Sequence, residues 1–202
     1  MIAIIDYGVG NLRSVQKAFE RLGYDAQIVT EQRELTKANG IVVPGVGAFG
    51  DAMRALETSG FVEDLVQSAQ AGKPILGICL GMQLLFAKSE EYGDHEGLAL
   101  LEGVVTRLPN DHVKVPHVGW NQLHIEKHHP IVEGVQEGEN VYFVHSYAVV
   151  PDQLEVGIAS SEHGRVFPAI VGKDHVLGMQ FHPEKSGRVG LMMLANFAQL
   201  CQ

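Results

Sequence analysis

Short apolar runs alternate with amphipathic segments along the first half of the chain. Ile2-Ala3-Ile4-Ile5 is an uninterrupted apolar stretch ending at Asp6-Tyr7-Gly8, as expected of a strand buried on both faces. Leu12, Val15, Phe19 and Leu22 then fall on one face of a helix predicted over residues 11–22, with Asn11 as its cap and Gly23 as its stop. Further strands are predicted at 25–29, 40–43 and 73–78, and helices at 48–56, 61–71 and 80–88. Alternating strands and helices imply a parallel sheet covered on both faces.

From residue 98 to 170 the pattern changes. Strand-like runs are separated by turn signals such as Pro109-Asn110-Asp111 and Glu137-Gly138-Glu139, which predicts an antiparallel extension or insertion on the same sheet. A strand at 176–181 and a helix at 189–200 end the pattern. The fold class is therefore α/β: a single-domain, open, mostly parallel, flavodoxin-like sheet with helices on both faces and an antiparallel strand extension.

Composition narrows the function classes. A chain of 202 residues and 22.0 kDa suits one domain over residues 1–202, and no stretch reads as a linker. The formal net charge of −9 offers nucleic acid no electrostatic footprint and reads as solubility. No apolar run is long enough to span a membrane, and the N-terminal segment lacks the basic flank of a signal peptide. Cys79 and Cys201 are the only cysteines; two isolated thiols make no disulfide framework, so a reducing, cytoplasmic setting is expected.

Gly77-Ile78-Cys79-Leu80-Gly81 stands where a strand gives way to a helix. Small residues on both sides of a nucleophile at such a junction permit the sharp, strained turn of a nucleophile elbow. The N-terminus of the following helix favours a thiolate, and the Leu80 N–H is placed to meet an oxyanion. The pentapeptide by itself is equally compatible with a buried structural thiol. Cys201, near the C-terminus and without flanking glycines, reads as unreactive.

A thiol nucleophile needs a base, and the base needs an orienter. His182-Pro183-Glu184 follows the 176–181 strand. Two-residue spacing in extended chain puts both side chains on one side, so the carboxylate can hold one imidazole nitrogen while the other faces the thiol. If that strand neighbours the one before Cys79, the groups meet at the carboxyl edge of the sheet, where open α/β sheets bind ligands. A surface ion pair and a metal site compete with this reading. A metal site lacks further ligands at sensible spacing, and His124, His128 and His129 lie in a polar, turn-like stretch.

Pro44-Gly45-Val46-Gly47 follows the third strand; two glycines let a peptide N–H be aimed at a ligand, though an ordinary turn would need no more. Gly8-Val9-Gly10-Asn11 looks superficially like a dinucleotide fingerprint but has Arg13 in place of the third glycine.

Together and in this order, Gly77-Ile78-Cys79-Leu80-Gly81-Met82-Gln83 and His182-Pro183-Glu184 resemble the class I, triad-type glutamine amidotransferases. Asp6-Tyr7-Gly8-Val9-Gly10-Asn11, Pro44-Gly45-Val46-Gly47-Ala48-Phe49, Pro116-His117-Val118-Gly119-Trp120-Asn121 and Tyr142-Phe143-Val144-His145-Ser146-Tyr147 narrow the resemblance to the glutaminase subunits of imidazole glycerol phosphate synthase. The resemblance runs from Asp6 to Lys185. It implies Cys79 as nucleophile, His182 as general base and acid, and Glu184 as orienter. It implies oxyanion N–H groups at Val46 and Leu80, with the Val46–Gly47 peptide turning before it donates. Gly47, Gln83, His145, Ser146 and Tyr147 would hold glutamine. Asn11, Trp120, Asn121, Tyr142 and Lys185 would face a (β/α)8-barrel cyclase subunit in a heterodimer, which would receive the ammonia. No metal or organic cofactor is implied.

Each carried-over residue has a plainer reading. Phe143 suits a core aromatic, Tyr142 and Tyr147 could cap a strand, and Trp120, in a turn-like segment, suits an interface better than a core. Gln83, one turn beyond Cys79, faces the way the nucleophile faces. Two rival functions remain: another triad amidotransferase, serving pyridoxal phosphate, anthranilate or GMP synthesis, and a flavodoxin-like binding module with an oxidation-sensing Cys79. The 6–11 and 116–121 segments argue against the former; the latter leaves His182 and Glu184 without a role.

Overall fold

The computed structural model describes residues 1–202. Fourteen strands and five α-helices follow one another along the chain: β1 Ile2–Ile5, α1 Leu12–Arg21, β2 Ala26–Val29, β3 Gly40–Val43, α2 Phe49–Thr58, α3 Phe61–Gln70, β4 Ile75–Ile78, α4 Leu80–Leu84 and β5 Phe86–Ser89. The second half holds β6 His95–Glu96, β7 Leu101–Arg107, β8 His117–Gln122, β9 His124–Ile125, β10 Asn140–His145, β11 Tyr147–Pro151, β12 Gly157–Glu162, β13 Val166–Lys173, β14 Val176–Met179 and α5 Gly187–Leu200.

An eight-stranded sheet in the order β2-β1-β3-β4-β14-β13-β12-β9 forms the centre. Its first five strands run parallel and the last three join antiparallel. Alternate residues of the apolar strands serve opposite faces. Ile2, Ile4, Val42 and Ile78 pack with Val15 and Phe19 of α1 and Met193 and Phe197 of α5. Ala3, Ile5, Ile41 and Val43 pack with Phe49 and Leu56 of α2 and Phe61 and Leu65 of α3. Each fully buried phenylalanine on these faces contributes on the order of 2–3 kcal/mol by leaving water.

The middle of the chain departs from a single extended sheet. Only β9, β12 and β13 extend the central sheet; β11-β7-β5-β6 and β10-β8 form two smaller ones. The 80–88 helix is also cut short. Leu84, Leu85 and Phe86 are all fully buried, so no polar face marks where the helix should stop. The carbonyls of Leu84 and Leu85 accept from Leu98, Leu100 and Leu101 N–H groups, and Phe86 pairs with Leu101 of β7. Backbone partners distant in sequence take the hydrogen bonds a longer helix would have made. At α1, Asn11 occupies the cap position but its side chain makes no capping bond, its φ of −94° and ψ of 65° lying away from the extended geometry a side-chain cap uses.

Candidate active site

β4 and β14 lie side by side with Met179 opposite Ile78, and the Cys79 N–H donates to the Met179 carbonyl at 2.7 Å. Cys79 and His182 therefore emerge at the same carboxyl edge. Cys79 has φ 54° and ψ −112°, a conformation costing a non-glycine residue on the order of 1–3 kcal/mol. Its neighbours make the turn possible: a Cβ on Gly81 would run into the Val43 carbonyl oxygen, and one on Gly77 would lie 2.6 Å from the Gly81 oxygen. The elbow is thus strained at the residue that must be presented and bare where backbones cross.

His182 is 2% exposed, and its Nδ1 lies 2.9 Å from Glu184 Oε1, the carboxylate side chain being only 1% exposed. Tyr142 and Ser186 hold the segment: the His182 N–H donates to the Tyr142 carbonyl at 2.9 Å, Ser186 Oγ donates to the His182 carbonyl at 2.6 Å, and the Tyr142 N–H donates to Ser186 Oγ at 3.0 Å. His182 Nε2 is buried and unpaired, and the Cys79 thiol leans to the Val144 carbonyl at 3.7 Å. The two stand within electrostatic reach without a formed hydrogen bond. Burial pulls the His182 pKa down, but the Cys79 thiolate and the Glu184 carboxylate outweigh it and raise it to about 9. An imidazole so placed holds its proton at neutral pH.

Cys79, Leu80, His182, Val46, Gly47, Gln83, His145, Ser146 and Tyr147 all border one cavity of about 260 Å³, below the roughly 300–1,000 Å³ of drug-sized pockets. The Val46–Gly47 loop is exposed, with Gly47 at φ 93°. It is anchored at its start by Tyr7, whose hydroxyl donates to the Pro44 carbonyl at 2.6 Å. Gln83 Nε2 donates to the Tyr147 carbonyl at 3.0 Å and to Gln180 Oε1 at 3.2 Å. Both amide hydrogens of Gln83 are thereby used, which leaves its oxygen as the acceptor available to the cavity.

Two expected contacts take a different form. Both ring nitrogens of His145 are occupied, by His117 at 2.9 Å and by the Tyr147 carbonyl at 2.8 Å, so its imidazole supports the cavity wall and is not free for a ligand. Asn121 donates to the Glu162 carbonyl and accepts from the Gln122 N–H, both at 2.8 Å, so its amide is spent within the chain. Trp120 is 57% exposed and meets Tyr142 edge-on across the β8–β10 pair, with ring centroids 6.0 Å apart. Asn11 and Lys185 are exposed. Phe143 is fully buried. Away from the site, His124 and His128 pair with Glu137 and Glu133 at 2.7 and 3.4 Å.

Sequence reasoning passes over several residues that shape the site. Glu91 borders the cavity and accepts from the Phe49 N–H at 2.8 Å; it sits in an acidic stretch with no periodic signal. Burial raises its pKa. Gln180 is fully buried with its amide 3.9 Å from Cys79 Sγ, and a lone polar residue in an apolar strand two positions before His182 was a readable signal.

A family model, glutamine amidotransferase class-I, matches residues 3–200. The chain is similar to the imidazole glycerol phosphate synthase subunit HisH of Syntrophotalea carbinolica, 51% identical with 99% of this chain and 100% of the relative covered. It is also similar to the protein of that name from Desulfitobacterium hafniense (strain DSM 10664 / DCB-2), 53% identical with coverage of 98% and 94%. In structure it is similar to a chain of PurLQS from Thermotoga maritima, with a TM-score of 0.77, 22% identity and coverage of 100% and 98%, a likeness of fold.

Proposed function

Since the chain belongs to the class-I glutamine amidotransferases, and among them to the HisH subunits of imidazole glycerol phosphate synthase, we propose that residues 1–202 form one glutaminase domain. It hydrolyses glutamine to glutamate and ammonia through Cys79, His182 and Glu184. The observation that carries this reading is the meeting of a strained, glycine-flanked thiol with a buried His–Glu pair at the mouth of a cavity sized for a small ligand.

The Cys79 thiolate attacks the side-chain carboxamide carbon of glutamine, and the oxyanion is met by the N–H groups of Val46 and Leu80 once the Val46–Gly47 peptide has turned. Protonated His182 delivers its proton to the leaving nitrogen, ammonia departs and a γ-glutamyl thioester remains. His182, now neutral, takes a proton from water, which attacks the thioester and releases glutamate and the thiolate. Glu184 keeps the imidazole oriented throughout. Gly47, Gln83, Ser146 and Tyr147 line the glutamine site, with His145 behind them. Glu91 is the carboxylate available to the substrate ammonium.

The ammonia passes to the other subunit of the synthase, a (β/α)8-barrel cyclase of histidine biosynthesis. That subunit docks on the face carrying Trp120, Tyr142, Asn11 and Lys185 and forms imidazole glycerol phosphate and an aminoimidazole carboxamide ribotide. Cys79→Ala is expected to abolish synthesis driven by glutamine while leaving synthesis driven by ammonium salts intact in the complex. Loss of both would assign Cys79 a structural role instead.

A further inference from the structure

Between β10 and β11 the chain leaves one sheet for another, and residues 145–147 of that crossing wall the cavity. Where a strand changes sheets, the ladder no longer holds it on both sides, and side chains take over. The Tyr147 carbonyl accepts from two of them, His145 Nδ1 at 2.8 Å and Gln83 Nε2 at 3.0 Å. Behind His145 stands His117, Nδ1 to Nε2 at 2.9 Å, and behind His117 stands Asn121, whose amide lies 3.2 Å from His117 Nε2.

With both rings neutral, these distances admit one arrangement of protons. A carbonyl only accepts, so His145 Nδ1 carries hydrogen and its Nε2 accepts. His117 Nδ1 therefore carries hydrogen, and its Nε2 accepts from Asn121. Both rings are neutral: burial, with His163 nearby, lowers the His117 pKa to about 4, and burial outweighs the Tyr147 hydrogen bond to lower that of His145 to about 3. Packing holds the plane of His117 while the hydrogen bonds set its rotation. The ring lies between Phe143 at 4.8 Å and His163 at 4.1 Å, stacked on each. At the other end, Gln83 passes the chain through Gln180 to Cys79.

We propose that His117, held by Asn121, is a positioning residue for glutamine hydrolysis: through His145 it fixes the Tyr147 carbonyl and the cavity wall that glutamine binds against. His117 lines no part of the cavity itself. The role rests on the glutaminase reading and concerns binding more than bond-breaking.

The test uses the full chain in complex with the other synthase subunit. His117→Phe keeps the stacked ring and removes its hydrogen bonds; His117→Asn restores a donor near the position of Nδ1. The expected result is a KM for glutamine raised about tenfold by His117→Phe, with kcat within about threefold of wild type and His117→Asn returning KM most of the way. Long-range ¹⁵N–¹H spectra of the wild type are expected to show both His117 and His145 as Nδ1–H tautomers, the reverse of free histidine. An Nε2–H tautomer at His145 overturns the proposal. So does an unaltered KM in His117→Phe while the wild type hydrolyses glutamine. A joint fall of kcat and melting temperature that His117→Asn does not relieve marks a structural role and overturns it as well. Absence of hydrolysis by the wild-type complex overturns the activity reading, and this proposal with it.

Discussion

At Cys79, two residues with no chemistry of their own permit the chemistry of the third. Gly77 and Gly81 clear the way for a backbone that Cys79 alone must strain. The thiol's partner is tuned by opposing effects: burial lowers the His182 pKa, and the sulfur of Cys79 and the carboxylate of Glu184 together raise it to about 9. The sign has a consequence. On the proposed mechanism His182 carries the proton that ammonia needs below about pH 9 and loses it above, so kcat/KM is expected to fall on the alkaline side near that value. Glu184→Gln removes one of the two anions and is expected to move that limb down by about 1 unit. A pH–rate profile reads this directly, and a limb that stays in place would mean that Cys79 alone raises the imidazole. The proximity of Cys79, His182 and Glu184 was legible from residue types and spacings. The engaged imidazole of His145 was not, because hydrogen-bond partners 28 positions apart leave no local trace.

Among the elements, α5 is where packing reaches the site. It crosses the Pro183–Lys185 turn at Gly190, where a Cβ would run into the Pro183 carbonyl oxygen and lie 2.7 Å from its carbon. The obstruction is backbone, so it cannot rotate away. Gly190→Ala is expected to lower stability by about 2 kcal/mol, read by thermal unfolding. It should also slow labelling of Cys79 by a glutamine-analogue diazo-ketone, since Glu184 moves with the turn; wild-type labelling by a destabilised variant would detach the turn from the triad. Elements with one buried face were readable by period, as α1 shows with Val15 and Phe19 against exposed Arg13 and Lys17. Residues 84–86 were not, because a segment buried all round has no period to distinguish helix from strand.

On the scale of the whole molecule, the carboxyl edge of the sheet carries Cys79, His182 and Glu184, and the β8–β10 ribbon beside it presents Trp120 and Tyr142 outward. Val118 and Val144 of the same ribbon border the cavity, so a partner docked there would sit over the proposed glutaminase site. Trp120→Ala is expected to weaken binding of the cyclase by about 2 kcal/mol, or about thirtyfold in Kd, measured by titration calorimetry. The melting temperature of the isolated chain should hold, because the ring is already largely in water; unchanged affinity would place the docking face elsewhere. The order of strands and helices through residue 78, and the spacings that single out Cys79, His182 and Glu184 as candidates, could be read from sequence by itself, because each depends on local period, turn chemistry or close spacing. Tertiary structure alone decided that the middle strands divide among three sheets, that the 80–88 helix stops at Leu84, that Glu91 borders the cavity, and that His117, Asn121 and Gln180 stand behind its wall. Those outcomes turn on hydrogen bonds and burial between distant segments, where one strand can satisfy its backbone with several partners and only the folded chain selects among them.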